Sequence, residues 1–145
     1  MNAALPTAQL LPHAVPACPY SRLLLYTIRR MAAGGIGDAH AAHAMLTGFG
    51  LGYRRPLILV RALMAEISRV SSTTVKVAPC CCPRLSHAEH VLLGAIAGAT
   101  DHPRRAHAAF AELLHIRECL GLVTSAQAVA ASFADQGMPL QISRE

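Results

Sequence analysis

Residues 54–70 read RRPLILVRALMAEISRV, and this stretch decides the fold class. Apolar residues recur there with the period of an α-helix, and Pro56 suits the first turn of one. The main apolar stripe consists of Leu57, Val60, Leu63, Met64, Ile67 and Val70. Because Ile58, Ala62 and Ala65 make the other side apolar as well, we expect this helix to lie at the centre of a bundle.

Helical patterns also precede the central segment. An amphipathic helix is predicted over residues 21–33, with Pro19 in its first turn. The next helix follows Asp38, a favourable N-cap residue, and extends over about 39–49. Both segments are rich in alanine and leucine, which favours close packing of helix on helix.

Further helix signals follow the central segment. Ser86 and Glu89 form a capping box that begins a helix ending near residue 99. Another helix is predicted over about 103–116. Thr124 and Gln127 form a second capping box, which predicts a last helix ending near residue 136. The sequence therefore predicts an all-α, single-domain bundle of about six helices.

The predicted domain boundaries follow from proline and glycine positions. Residues 1–18 are expected to form an extended N-terminal arm, residues 19–138 the helical domain, and residues 139–145 a polar tail. Within the domain, residues 73–77 alternate Thr, Val and Lys as a short extended segment does. We expect this segment to be irregular or to pair with its copy in a dimer.

The composition indicates which kinds of partner the chain can bind. Hydrophobic residues make up 53% of the chain and charged residues only 14%, so a small monomer would expose much apolar surface, and we predict self-association. The net charge of +5 comes from arginines scattered along the chain without interleaved aromatic residues. Nucleic-acid binding is therefore not expected.

The sequence also bears on location. Its apolar runs, such as residues 57–65, are shorter than the roughly 20 residues that a membrane span needs. The N-terminus lacks the basic region of a signal peptide, and prolines interrupt its apolar part. We therefore predict a cytoplasmic protein, whose five cysteines would stay reduced there.

One stretch calls for a chemical explanation, namely residues 78–84, which read APCCCPR. If this stretch is extended, Cys80 and Cys82 point to one side and Cys81 to the other. Two thiolates in a Cys-x-Cys pair suit a soft metal such as zinc. His87 and His90 share one face of the helix that follows, so Cys80, Cys82, His87 and His90 are candidate ligands of a Cys2His2 site.

The same cysteines are also thiol or redox candidates. The helix N-terminus at Ser86 and the charge of Arg84 would lower the pKa of a nearby thiol, and Cys82 is the closest in sequence. Cys80 and Cys81 would then be the neighbouring thiols that resolve an oxidised product. The alternatives are that all three cysteines fill a tight loop by packing, or that Cys82 acts with a histidine in nucleophilic catalysis.

A second histidine pair, His40 and His43, is spaced to share a helix face beside Asp38. A di-iron bundle needs a Glu-x-x-His motif on each of two helices, and the chain has this spacing only at Glu112 and His115. We expect His40 and His43 to be solvated or bonded to the backbone.

Three elements together resemble a small alphaproteobacterial family of unknown function. They are the run over 54–66, the triple-cysteine run over 78–84, and the Ser86-x-x-Glu89 pair. The triple cysteine is the most specific of them, and the resemblance covers nearly the whole chain. It implies a bacterial origin and assigns no activity to any residue.

The sequence thus favours a non-enzymatic binding or regulatory module with a thiol or metal site at the cysteine run. The alternatives are a structural or interaction domain whose cysteines only pack, and a thiol-dependent enzyme.

Overall fold

The computed structural model describes residues 11–141, and these are mostly helical. Its helices are α1 (Pro19–Gly34), α2 (Ala39–Phe49), α3 (Arg54–Val70), α4 (His87–Gly98), α5 (Pro103–Leu114) and α6 (Leu120–Asp135), with a 3-10 helix (Gly50–Tyr53) between α2 and α3. Two short strands, β1 (His13–Ala14) and β2 (Arg84–Leu85), form an antiparallel pair. The predicted helical fold class is confirmed, and the predicted number of helices is close.

Local signals explain most helix bounds. Helices α2 and α3 occupy the predicted segments. The Asp38 carboxylate accepts the backbone N–H of Ala41 at 3.0 Å and so satisfies a donor that the first turn of α2 would leave unpaired. At the far end of α3, the N–H of Ser71 still bonds to the carbonyl of Ile67, and the backbone then turns extended.

The second predicted capping box is wrong, because α6 begins at Leu120, four residues before Thr124. A carboxylate oxygen of Glu118 accepts the Leu120 N–H at 3.0 Å and starts the helix there. Thr124 therefore lies inside the helix, where its hydroxyl donates to the Leu120 carbonyl. The Gln127 amide donates instead to the carbonyl of Ala99, at the end of α4.

The core lies where α3 packs on α6, α4 on α5, and α1 on α2. Phe49 and Phe133 meet edge to face in it, with ring centroids 4.9 Å apart. We expected α3 to be central because it is apolar almost all round, but the other helices cover only one side of it. Its stripe around Leu63 is buried, but Ile58 is 60% exposed and the side with Ala62 faces solvent.

The segment over residues 73–77 has no strand partner within the described chain. Val75 and Val77 instead line a cavity of about 440 Å³ together with Met31 and Met64. Strand pairing occurs where the sequence did not indicate it, between the N-terminal arm and the cysteine connection.

The outermost parts of the predicted arm and tail, residues 1–10 and 142–145, lie outside the described residues. None of the described helices is both long enough and apolar enough to cross a membrane.

Two leucine-sized side chains on α3 provide a matched test of this packing. Leu63 is fully buried, so Leu63→Ala should lower the free energy of unfolding by about 2–5 kcal/mol, since it leaves a cavity. At protein concentrations low enough for the chain to be monomeric, Ile58→Ala should change it by no more than about 0.5 kcal/mol, because that side chain is exposed. Urea denaturation followed by circular dichroism measures both, and equal losses would contradict the orientation of α3.

Candidate functional site

The three cysteines form a tight turn. The backbone N–H of Cys82 donates to the carbonyl of Pro79 at 3.0 Å, which places Cys80 and Cys81 at the two central positions. The stretch is therefore a turn, so the alternation of side chains expected for an extended stretch does not apply. Instead of pointing apart, the Sγ atoms of Cys80 and Cys81 lie 3.4 Å from each other.

The three cysteines of the turn differ in exposure. Cys81 is exposed, and Cys80 and Cys82 are partly buried. Ala78, just before the turn, is buried and anchors it to the core. The turn thus presents a pair of adjacent free thiols on a fixed base.

A buried ion pair forms that base. Arg29 of α1 and Glu89 of α4 have side chains only 2% and 1% exposed. The Arg29 Nε donates to Glu89 Oε2 at 2.6 Å, and Nη2 donates to Oε1 at 3.1 Å. Such a two-point contact fixes both side chains, because the flat guanidinium matches the carboxylate.

Arg29 also binds the cysteine connection directly. Its Nη1 donates to the carbonyl of Cys82 at 2.8 Å, and its Nη2 donates to the carbonyl of Arg84 at 2.8 Å. One guanidinium therefore joins α1, the cap of α4 and the backbone on the C-terminal side of the thiol turn. The sequence did not indicate that Arg29 would bind either of these carbonyls.

Glu89 and Ser86 close the loop that contains the turn. The Glu89 carboxylate accepts the Ser86 N–H at 2.9 Å, and the Ser86 hydroxyl accepts the Glu89 N–H at 3.1 Å. The predicted capping box is confirmed. The same Ser86 hydroxyl donates to the carbonyl of Lys76 at 2.8 Å, so the two ends of the loop around the cysteines are tied together.

Arg84 faces away from the thiols and towards the N-terminal arm. Its Nε donates to the carbonyl of Leu11 at 2.7 Å, and its Nη2 donates to that of Pro12 at 2.9 Å. Beside these bonds, His13 pairs with Leu85 in the two-stranded sheet. Arg84 therefore fastens the arm to the connection.

The arginines near the thiols are Arg29 and Arg30. The positive charges of both act on Cys81, and Asp38 holds Arg30, whose Nη2 lies 3.0 Å from the carboxylate. The hydrogen bond from Arg30 lowers the pKa of Asp38, which stays charged and keeps the guanidinium in place. The sequence did not indicate that Arg30 lies near the cysteines, because α1 and the cysteine run are far apart in the chain.

Cys80 affects the protonation of the neighbouring thiol, Cys81. The hydrogen bond with Cys80, and then the charge of Cys80, raise the pKa of Cys81. The positive charges of Arg29 and Arg30 oppose this rise without outweighing it. Cys80 therefore disfavours the thiolate form of its neighbour Cys81.

The histidines predicted as metal ligands face the N-terminal arm. His90 stacks on His13 with ring centroids 3.7 Å apart, and His87 lies 6.0 Å from His13. Within residues 11–141, no group of three or more His, Cys, Asp or Glu side chains is placed to hold a metal ion. The structure thus does not bring Cys80, Cys82, His87 and His90 together as one ligand set.

The second histidine pair lies elsewhere. His40 and His43 line a groove of about 510 Å³ between α1 and α2, beside Tyr20 and Tyr26.

Cys18 is a reactive-thiol candidate that the sequence interpretation missed. It occupies the N-cap position of α1. Burial raises the pKa of its thiol, but the polar groups of Ser21 and Tyr20 beside it favour the thiolate, so the net pKa is lowered. The available signal was its position directly before Pro19, since proline commonly opens a helix.

Comparison with known proteins gives a family and no activity. A model of the DUF6628 family, a family of unknown function, matches residues 6–134, and the chain belongs to this family. Searches of the curated proteins and of the solved structures found no match.

The buried ion pair gives a stability prediction. Arg29→Ala should lower the free energy of unfolding by about 3–5 kcal/mol, because it leaves the Glu89 carboxylate buried without its partner. Arg69→Ala is the matched control, since it removes an arginine from an exposed pair with Glu66 and should change little. Urea denaturation measures both, and a small effect of Arg29→Ala would contradict the central role of this pair.

The coupling of the thiols gives a second prediction. Cys80→Ala removes the main cause of the raised pKa of Cys81, so that pKa should fall towards the ordinary thiol value. Because only the thiolate reacts, the midpoint of Cys81 alkylation by iodoacetamide should move to lower pH. Peptide mass spectrometry across a pH series reports it. Cys82→Ala should leave the midpoint where it is, and an unchanged midpoint in Cys80→Ala would refute the coupling.

Proposed function

We propose that this member of the DUF6628 family is a non-enzymatic regulatory module that responds to modification of the thiols of Cys80 and Cys81. One observation supports this above the others. The guanidinium of Arg29 binds the carbonyls of Cys82 and Arg84 and also the carboxylate of Glu89. A change in the geometry of the thiol turn therefore acts on a group that also holds two helices.

The effect would spread along bonds already described. Modification of Cys80 or Cys81 adds a group to one of the two central residues of a turn that a single hydrogen bond closes, between Cys82 and Pro79. If the turn opens, the Cys82 carbonyl moves away from Arg29. The strand of Arg84 lies next in the chain, and Arg84 holds the N-terminal arm through the Leu11 and Pro12 carbonyls. We therefore expect modification of the thiols to change how the N-terminal arm is held.

The other predictions fit this proposal. A cytoplasmic location suits a thiol sensor, because thiols remain reduced there unless a reagent modifies them. A bacterial origin follows from the resemblance of the cysteine run and its flanks. Zinc or another soft metal would require ligands beyond Cys80 and Cys82, because Zn²⁺ normally takes four ligands in structural sites. The thiol response therefore accounts for the described geometry better than a zinc site does.

Hydrogen exchange tests the proposal. Alkylation of Cys80 and Cys81 with iodoacetamide should raise amide exchange in peptides covering residues 11–17 and 79–90, because both segments depend on the turn. The α3–α6 part of the core should keep its protection. A Cys80→Ala/Cys81→Ala double variant is the control, and the same reagent should leave its exchange pattern unchanged.

If complete alkylation of both thiols leaves exchange of the arm and turn unaltered, the regulatory function is wrong. The cysteines would then be packing residues.

We also infer a second role, self-association, from three exposed apolar side chains in one helix–turn–helix segment. Leu46 is 42% exposed, Leu51 97% and Ile58 60%. Burying large apolar side chains is favourable, so these residues offer a surface for a second copy.

Sedimentation velocity tests self-association. The protein should show a concentration-dependent increase in mass, and Leu51→Asp/Ile58→Asp should give a monomer, because the substitutions place charge on the proposed interface. Leu120→Asp is the control, since Leu120 is 64% exposed but lies at the start of α6. A wild-type monomer at all concentrations would exclude this role.

A further inference from the structure

Building on the thiol response proposed above, we infer that Cys80 and Cys81 chelate one trivalent, thiophilic centre of the monoorganyl arsenic(III) class. The proposal names the ligand chemistry of the same turn. The distance between the sulfurs and the number of thiols that the turn brings together both support it.

The distance between the sulfurs fits such a centre. With a bond of about 2.3 Å from each thiolate to the central atom, as in zinc–thiolate sites, a Sγ–Sγ distance of 3.4 Å gives an angle of about 95°. A tetrahedral centre would spread the same two sulfurs to about 3.8 Å. An angle near 95° is typical of a pyramidal atom that keeps a lone pair. The turn therefore holds the sulfurs at the spacing that a trivalent arsenic needs.

The number of ligands fits as well. Cys82 does not join Cys80 and Cys81 in a group of three ligands, and no other His, Cys, Asp or Glu of the described chain does so. A monoorganyl arsenic(III) has one carbon substituent and needs only two sulfurs. Inorganic arsenite exchanges three oxygen ligands, so on this turn it would keep one hydroxide. The organic form should therefore bind more tightly.

The reaction is an exchange of ligands without any oxidant. In phenylarsine oxide the arsenic is bonded to one carbon and to oxygen. The two thiols form two arsenic–sulfur bonds, and the oxygen leaves with both thiol protons as water. No electrons change hands and the product is neutral.

The geometry of the turn favours the second bond. The two sulfurs already lie side by side, so little rearrangement is needed for the second arsenic–sulfur bond once the first has formed. A five-membered chelate cannot form on adjacent residues, so the fixed turn replaces the short linker of a small dithiol.

Titration with phenylarsine oxide tests the inference on the full-length reduced protein. Calorimetry should give one equivalent bound, and intact-mass spectrometry should show one phenylarsenic adduct. Cys80→Ala and Cys81→Ala should each raise the dissociation constant by at least about 100-fold, because the second bond is then no longer intramolecular. Cys82→Ala and Cys18→Ala should bind as the wild type does.

A competition on the wild-type protein provides a second measurement that needs no variant. A small dithiol should remove the adduct, whereas the same thiol concentration supplied as a monothiol should leave it in place. Unaltered binding in Cys80→Ala, removal by the monothiol, or arsenite binding more tightly than phenylarsine oxide would each overturn the chelate.

The results of the titration and of the hydrogen-exchange experiment together distinguish the arsenic chelate from the regulatory function. Absence of binding, with exchange in the arm still changing on alkylation, removes the ligand and leaves the thiol response. Tight binding to the wild type without any change in exchange keeps the chelate and removes the regulatory role.

Discussion

The rest of the structure depends on the buried contact between Arg29 and Glu89. Removing two charges from water costs several kcal/mol per ion, and attraction between them offsets this only when the remaining donors and acceptors are also bonded. Arg29 meets the condition through the carbonyls of Cys82 and Arg84, and Glu89 meets it through the N–H of Ser86. The pair is therefore favourable only when the thiol turn and the cap of α4 are both in place.

This requirement explains why the cysteine connection has a defined conformation although it carries few apolar side chains. The cysteine connection needs no large core of its own, because Arg29 holds its backbone and the Ser86 hydroxyl holds the carbonyl of Lys76 at its other end. Reactive thiols benefit from such support, since a rigid base fixes the distance between sulfurs while leaving them accessible. The same contacts therefore stabilise the fold and position the thiols, so a substitution that weakens these contacts should affect both.

The sequence predicted the parts of the fold that local patterns determine. The periodicity over residues 54–70 and the N-cap at Asp38 gave the bounds of two helices, and the Ser86–Glu89 box gave the start of a third. The same kind of pattern failed at Thr124, because a Ser or Thr hydroxyl inside a helix can bond to the carbonyl one turn earlier. Exposure of Ile58 was also out of reach, since periodicity does not say which side of an apolar helix the other helices cover.

The site was less predictable, because its main contacts are not local. Arg29 and Glu89 lie 60 residues apart, and nothing near either residue in the sequence indicates the other. The cysteine run itself was visible, but its chemistry depends on one backbone hydrogen bond. In an extended strand Cys80 and Cys81 point to opposite faces and cannot bind the same atom. The bond from Cys82 to Pro79 folds the chain into a turn and makes the two neighbours a dithiol. Without this backbone hydrogen bond, which Arg29 supports, Cys80 and Cys81 would be two separate thiols. With it, they form a two-sulfur site.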